Sequence, residues 1–214
     1  MARHHRKHYQ HHLVYAILMF SLVTIGAFIY FGSRTVMSPM APVEMNIDTP
    51  LQETVNTPRQ ETVEEQQAFI NKLAPKAQEI QQTYNILPSI IIAQGILESD
   101  WGKSGLAQKE NNYFGIKGGT GSPTYQTQEY TGEWETVDEP FRSYDSMEES
   151  MVDHAKLLYY GTTWNNQQYQ SVLEATDYKE AAHALQASGY ATDPNCAEKL
   201  IKLIETYHLN QYDG

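Results

Sequence analysis

The run Ile90-Ile-Ile-Ala-Gln-Gly-Ile-Leu97 constrains this chain more than any other feature, because a helix of that composition has almost no polar face. Such a helix has to be enclosed by protein on most sides, so the rest of the fold must be built around it. Pro88 suits its first turn, where the N–H that proline lacks has no partner in the helix. Only Gln94 and Glu98 interrupt the apolar run, and a spacing of four puts both side chains on one stripe.

A carboxyl group at the C-terminal end of a buried helix is badly placed for a charge. Apolar surroundings and the negative end of the helix dipole both disfavour its ionised form. A raised pKa is therefore expected for Glu98, which suits a general acid that holds a proton near neutral pH and passes it to a leaving group. The plainer alternative is that Glu98 marks where the helix reaches solvent before Trp101-Gly102 turns the chain. Structural carboxylates also show perturbed pKa values.

Around this helix the local signals are mostly helical. Thr62-Val-Glu-Glu65 reads as a capping box opening a first helix with Phe69, Ile70, Leu73 and Ile80 on its apolar side. Ser146-Met-Glu-Glu149 and Asp177-Tyr-Lys-Glu180 repeat the pattern, Gly189 closes the helix begun at Asp177, and Asp193-Pro194 starts the last one. Between them, Tyr125 to Val137 alternates around Thr131-Gly132 and predicts a hairpin, with Phe141 to Tyr144 as a third short strand. Alternation puts Tyr125, Thr127 and Glu129 on one face of the first strand. Glu133 falls nearest the turn and is expected to be solvated; the face of Glu135 depends on the register. Gly118 to Ser122 lacks the Lys-Ser/Thr ending of a phosphate loop and reads as a hinge between lobes. The expected fold is α+β, a mainly helical domain over residues 62–214 with one small β-hairpin lobe.

The N-terminal part is of a different character. Residues 1–12 are basic and rich in histidine, and Leu13 to Gly32 carries no charge. As a helix at about 1.5 Å per residue, this run would span about 30 Å, the thickness of a bilayer's hydrocarbon core. The basic flank predicts a cytoplasmic N-terminus and a single transmembrane signal anchor over 13–32, with the domain outside the cell. A cleaved signal peptide is the competing reading, but SRTVMSPMAP is a poor cleavage site. Ser33 to Glu61 holds four prolines among Thr, Glu and Gln and reads as a flexible linker.

Charge narrows the partners. The chain has 15 Lys and Arg against 26 Asp and Glu, a net charge of −11. Arg3, Arg6, Lys7 and Arg34 all lie before the first acidic residue, so the remainder is more acidic still. A surface of that sign repels phosphates, and no basic stripe supports nucleic-acid binding. It also repels anionic cell-wall polymers at long range, so a wall substrate would have to be held by short-range contacts in a groove. The single cysteine, Cys196, has no internal disulfide partner; it reads as a small packing residue, with a reactive thiol as the alternative.

ILESDWGKSGLA followed by NNYFGIKGG resembles the catalytic-helix signature of the glucosaminidase domains of glycoside hydrolase family 73, bacterial peptidoglycan autolysins related to the flagellar-rod hydrolase. TYQTQEY at 124–130, FRSYDSMEESMVDHAKLL at 141–158 and GYATDPNCAEKLIKLIETYHLNQYD at 189–213 resemble further blocks in the family's order. The resemblance implies a lysozyme-like fold and an endo-β-N-acetylglucosaminidase acting on peptidoglycan glycan strands. An N-acetylmuramidase and an inactive wall-binding module remain the alternatives. It implies that Glu98 is the general acid, that Glu129 is the second carboxylate, and that Tyr190 lines the cleft near the acid. Asn112 and Tyr113 are candidate groove residues and Gln94, on the stripe of Glu98, a third substrate contact. No metal or organic cofactor is implied, and a 2-acetamido sugar can supply its own nucleophile, so an enzyme-borne one is not obligatory. Two positions depart from the family pattern. Asp100 stands where a small residue is common, and Cys196 where an aromatic residue often follows GYATDP-N.

Overall fold

The computed structural model describes residues 62–214. The segments read above as a basic cytoplasmic stretch, a membrane anchor and a linker lie outside the described residues. Among the described residues no helix is long and apolar enough to cross a membrane. The chain forms α1 (Val63–Tyr84), α2 (Pro88–Ser99), α3 (Gly105–Glu110), β1 (Thr124–Tyr130), β2 (Trp134–Pro140), α4 (Met147–Tyr160), α5 (Gln170–Leu173), α6 (Tyr178–Ala187), α7 (Cys196–Tyr207) and a final 3-10 turn (Leu209–Tyr212). The result is a helical body with one antiparallel hairpin between α3 and α4.

Helix α2 is the centre of the body. Every residue from Pro88 to Ile96 is buried, and the helix packs against α1, α6, α7 and the final turn. Ile90, Ile91 and Ile92 are fully enclosed. Each such side chain contributes about 1.5–3 kcal/mol relative to exposure, so the apolar run is a substantial source of cohesion. Its first turn has no side-chain cap of its own. Instead Asp213, from the C-terminal end, accepts from the Ser89 backbone N–H at 2.8 Å and the Ser89 hydroxyl at 2.8 Å. A carboxylate borrowed from 124 residues away thus serves the unpaired donors at the helix start.

At its other end α2 stops abruptly. Asp100, Trp101 and Gly102 take φ of 50°, 58° and 77°, three left-handed residues in succession. For a bulky residue such as Trp101 that conformation is costly, and it persists because its surroundings fix it. Ser99 does much of the fixing: its hydroxyl accepts from the Gly102 N–H at 2.7 Å and donates to the Gly95 carbonyl, while its own carbonyl accepts from Ser104 N–H at 2.8 Å. At Gly102 an added Cβ would lie 2.8 Å from Phe69 Cε2 and 3.2 Å from Tyr113 Cε1. Gly102→Ala is therefore expected to cost about 1–3 kcal/mol, from backbone strain and overpacking together. Urea unfolding checks this; an unchanged midpoint would mean that the turn relaxes freely.

The capping signals hold with local changes. Thr62 and Glu65 form the reciprocal box expected at α1. Ser146 accepts from Glu149 N–H, but the Glu149 carboxylate takes the Asp145 N–H instead of that of its cap. Asp177 caps α6, with Glu180 bonded to Thr176. The last helix begins at Cys196, two residues later than Pro194 would place it, because Asp193 accepts from Asn195 N–H and holds a turn first. The third strand expected at Phe141 to Tyr144 is replaced by one isolated bridge, Lys117 to Phe141, since Arg142 and Tyr144 donate to the carbonyls of Ile116 and Glu110 in the body.

Candidate active site

The C-terminal turn of α2 places Glu98, half-buried, at a groove of about 300 Å³. Trp101 and Leu106 line one side, Leu203 and Lys199 of α7 another, and Tyr125 with Phe141 the side of the hairpin. Trp101 is wedged edge-on against Phe69 and Tyr207, with ring centroids 6.1 and 5.0 Å away. Tyr125 is aimed by its hydroxyl, which donates to Glu110 at 2.7 Å; Glu110 also accepts from Ser143, and these two bonds hold it below the usual carboxylate range. The groove is thus a mainly apolar trough with two carboxyls, Glu98 on the last turn of a rigid helix and Asp100 just beyond it.

Two buried groups register the charge of Glu98. The Tyr190 phenol is raised well above its ordinary pKa, by burial first and Glu98 second. The Cys196 thiol is pushed up to about 12 by burial, then by Glu98 and Asp193. Cys196 is therefore a protonated packing residue rather than a reactive thiolate. Tyr190 is fully buried, its ring set edge-on to His154 at 5.6 Å and Tyr169 at 5.9 Å. It stands behind Glu98 in the core and does not line the trough.

Glu129 belongs to a second polar cluster. Burial follows the expected alternation along β1, with Thr127 and Glu129 enclosed and Tyr125 half-enclosed. Only 3% exposed, Glu129 accepts from Lys117 Nζ at 3.2 Å and from Thr192 Oγ1 at 3.4 Å. Burial raises its pKa, and the Lys117 ammonium pulls it back down. Lys117 also approaches Glu139 at 3.8 Å and lies 4.5 Å from the centre of the Phe141 ring. In the register Glu129 faces Glu135, which is exposed and bonded to Thr131; Glu133 is exposed near the turn.

The loop carrying Tyr190 and Thr192 joins the two clusters. Tyr190 stands near Glu98, while Thr192 bonds Glu129 and accepts from the Tyr130 backbone N–H at 3.3 Å. The other site candidates lie away from the groove. Asn112 is buried, donates to the carbonyls of Ile116 and Arg142 at 2.9 Å each and accepts from Ile116 N–H at 3.0 Å, so it pins the chain entering the hairpin. Tyr113 is nearly buried and stacks on Phe69 at 6.2 Å. Gln94 is enclosed within the core one turn before Glu98. The segment read as a hinge is tied down at its start, where Gly118 N–H donates to the Pro140 carbonyl at 2.8 Å. Lys117 and Thr192 escaped the sequence reading, though a lone lysine at the mouth of a hairpin in so acidic a chain was a usable signal.

Residues 74–209 match the glucosaminidase family model, described as mannosyl-glycoprotein endo-beta-N-acetylglucosaminidase. The chain belongs to this family of glycoside hydrolases. Among curated relatives, it is 44% identical over 200 residues to the exo-glucosaminidase LytG of Bacillus subtilis, covering 92% of this chain and 66% of that protein. It is 38% identical over 161 residues to a probable N-acetylmuramidase of Lactococcus lactis, covering 69% of this chain and 35% of the relative. Among solved structures, the catalytic domain of the autolysin Auto from Listeria monocytogenes aligns with a TM-score of 0.63 and 40% identity, covering 73% of this chain and 92% of that one. The chain therefore spans about a third to two thirds of the length of these curated relatives. The family expected from the four sequence blocks is the family found, and the helical body with one hairpin is the architecture of its glucosaminidase members.

Proposed function

We propose that this chain is a peptidoglycan hydrolase that cleaves the β-1,4 bonds of cell-wall glycan strands as a β-N-acetylglucosaminidase, with Glu98 as general acid. The observation that carries the reading is the position of Glu98: a half-buried carboxyl at the rigid end of α2, opening on a trough lined by Trp101 and Tyr125. In this reading the trough holds the sugar faces, and Glu98 delivers its proton to the glycosidic oxygen as the bond to the anomeric carbon breaks. Positive charge then develops at that carbon. Glu129 stabilises it, or the substrate's own acetamido oxygen does, until water adds to that carbon and gives up its proton to a carboxylate, Glu98 or Glu129. Tyr190 supports Glu98 from behind rather than stacking on the sugar.

The family description and the name of the Bacillus relative both favour the glucosaminidase linkage. The name of the Lactococcus relative favours the muramidase alternative. Digestion of purified peptidoglycan, borohydride reduction and mass spectrometry separate them. Reduced N-acetylglucosamine at the new ends is the expected result, and reduced N-acetylmuramic acid would replace it with the rival. The product lengths distinguish endo action, the reading from the sequence, from exo action, the word in the Bacillus relative's name. A spread of fragment sizes is expected for the first and single terminal units for the second.

The uncharged run from Leu13 to Gly32, behind a basic flank, supports an anchored protein with its catalytic domain on the wall side of the cell membrane. The full chain is expected to sediment with membranes and resist carbonate extraction, whereas a shortened chain beginning at Thr62 is soluble and active. Release of a shortened protein into the medium of intact cells would favour a cleaved signal instead.

A further inference from the structure

We propose that the surface around Trp164 is a second sugar-binding site, taking one uncharged pyranose unit of a glycan strand outside the groove that holds Glu98. Trp164 is 59% exposed on the connection between α4 and α5. A tryptophan left in water contributes little to packing, and here the chain holds it there firmly. Thr162 and Asn165 exchange backbone hydrogen bonds of 3.0 and 3.2 Å, closing a tight turn with Trp164 inside it. The Thr162 hydroxyl donates to Gln168 Oε1 at 2.8 Å, and Gln168 Nε2 donates to the Ser188 carbonyl at 2.9 Å, fastening the turn to the end of α6. Before the turn, Gly161 has φ of 70°, and an added Cβ there would strike the backbone of Asn165 and Asn166. The indole is thus presented by a loop whose shape is fixed before any ligand arrives, which lowers the entropic cost of binding.

Beside the indole lies a separate concavity of about 480 Å³, lined by Trp164, Asn165, Gln168 and Ser171, with Ala184 and Ser188 of the α6 end as its floor. An apolar ring face next to carboxamides and hydroxyls matches a pyranose, which has C–H bonds on one face and hydroxyls around its rim. None of these residues is charged, so a phosphate or a carboxylate ligand would find no counter-charge. The neutrality extends along the chain: no residue from Leu157 to Leu173 carries a charge, in a protein of net −11. The lining itself thus sets no like charge against an anionic wall polymer, which the acidic surface as a whole repels.

The choice of a glycan as ligand rests on the glycosidase reading above; the preformed platform does not. A second site on the same polymer raises the affinity for long strands without altering the chemistry at Glu98. The test uses the full chain and its Trp164→Ala and Trp164→Phe variants. Binding to purified peptidoglycan is measured by sedimentation in the cold, and turnover is measured on a short soluble peptidoglycan tetrasaccharide. Trp164→Ala is expected to weaken wall binding about 10-fold with turnover of the short substrate unchanged, and Trp164→Phe to restore part of the binding. Unchanged wall binding in Trp164→Ala would overturn the site. So would an equal loss on the short substrate, which would make Trp164 part of the main groove. A wild-type dimer that becomes monomeric in Trp164→Ala with wall binding intact would make the patch a self-association surface. The binding readout needs no cleavage, so an inactive wild-type chain would sink the glycosidase reading alone.

Discussion

Glu98→Gln is expected to lower peptidoglycan turnover by about 10² to 10⁴-fold while the protein stays folded. Glutamine keeps the size and polarity of the side chain but has no acidic proton to give. The stability readout should move differently from the activity readout. Glu98 sits at the C-terminal end of α2, where the helix dipole disfavours a negative charge, so a neutral amide of the same size is expected to change stability by less than about 1 kcal/mol. Circular dichroism and denaturant midpoints establish the fold, and dye release from labelled cell wall gives the rate. A folded variant that digests wall at nearly the wild-type rate would remove Glu98 from the mechanism.

The second large effect is expected at Glu129. Glu129→Gln should lower turnover far more than Glu133→Gln or Glu135→Gln, the two exposed glutamates of the same hairpin. An open groove position would have made that substitution nearly neutral for stability. The structure replaces that reason with a balance, because Glu129 is buried and ion-paired with Lys117. Removing the Glu129 charge ends the pair and leaves Lys117 to Glu139 at 3.8 Å, but it also lifts the burial cost that outweighs the pair, so a net change within about 1 kcal/mol is expected. The pH dependence has a definite sign. Burial raises Glu129 above the usual carboxylate range, so its contribution to stability is most favourable at low pH and declines as pH rises through the raised value. The glutamine variant loses this decline. Equal small rate losses in all three variants would leave Glu98 acting with the substrate's acetamido group, and a selective loss at Glu135 would move the second carboxylate to the other strand.

What the sequence disclosed followed from local rules. The buried helix, the Thr62 box, the alternation of β1 and the turn at Thr131-Gly132 each depend on neighbours a few residues apart, and each is where it was expected. Long-range contacts were not legible. Asn112 is a groove candidate by sequence; in the fold its amide is taken up by the carbonyls of Ile116 and Arg142, the latter 30 residues on. Tyr190 was legible as a neighbour of Glu98 and illegible in depth, since burial depends on Tyr169 and His154 closing over it. Two helical histidines differ in depth for the same reason. His183 is exposed on α6, and His154 is enclosed and stacked on Phe114 at 4.3 Å, with burial pulling its pKa down to about 3.

The enclosure of α2 also limits how a lineage of such proteins can vary. The element that holds the body together also sets the position of the proposed acid, so a substitution at Ile91 or Ile92 would shift Glu98 as well as open a cavity. Drift in the core and drift in catalysis are then the same event, and selection acts on both at once. The hairpin tip and the uncharged turn around Trp164 carry no such double duty. New preferences for strand length or wall chemistry have their freest ground there, at the rim, while the central helix stays as it is.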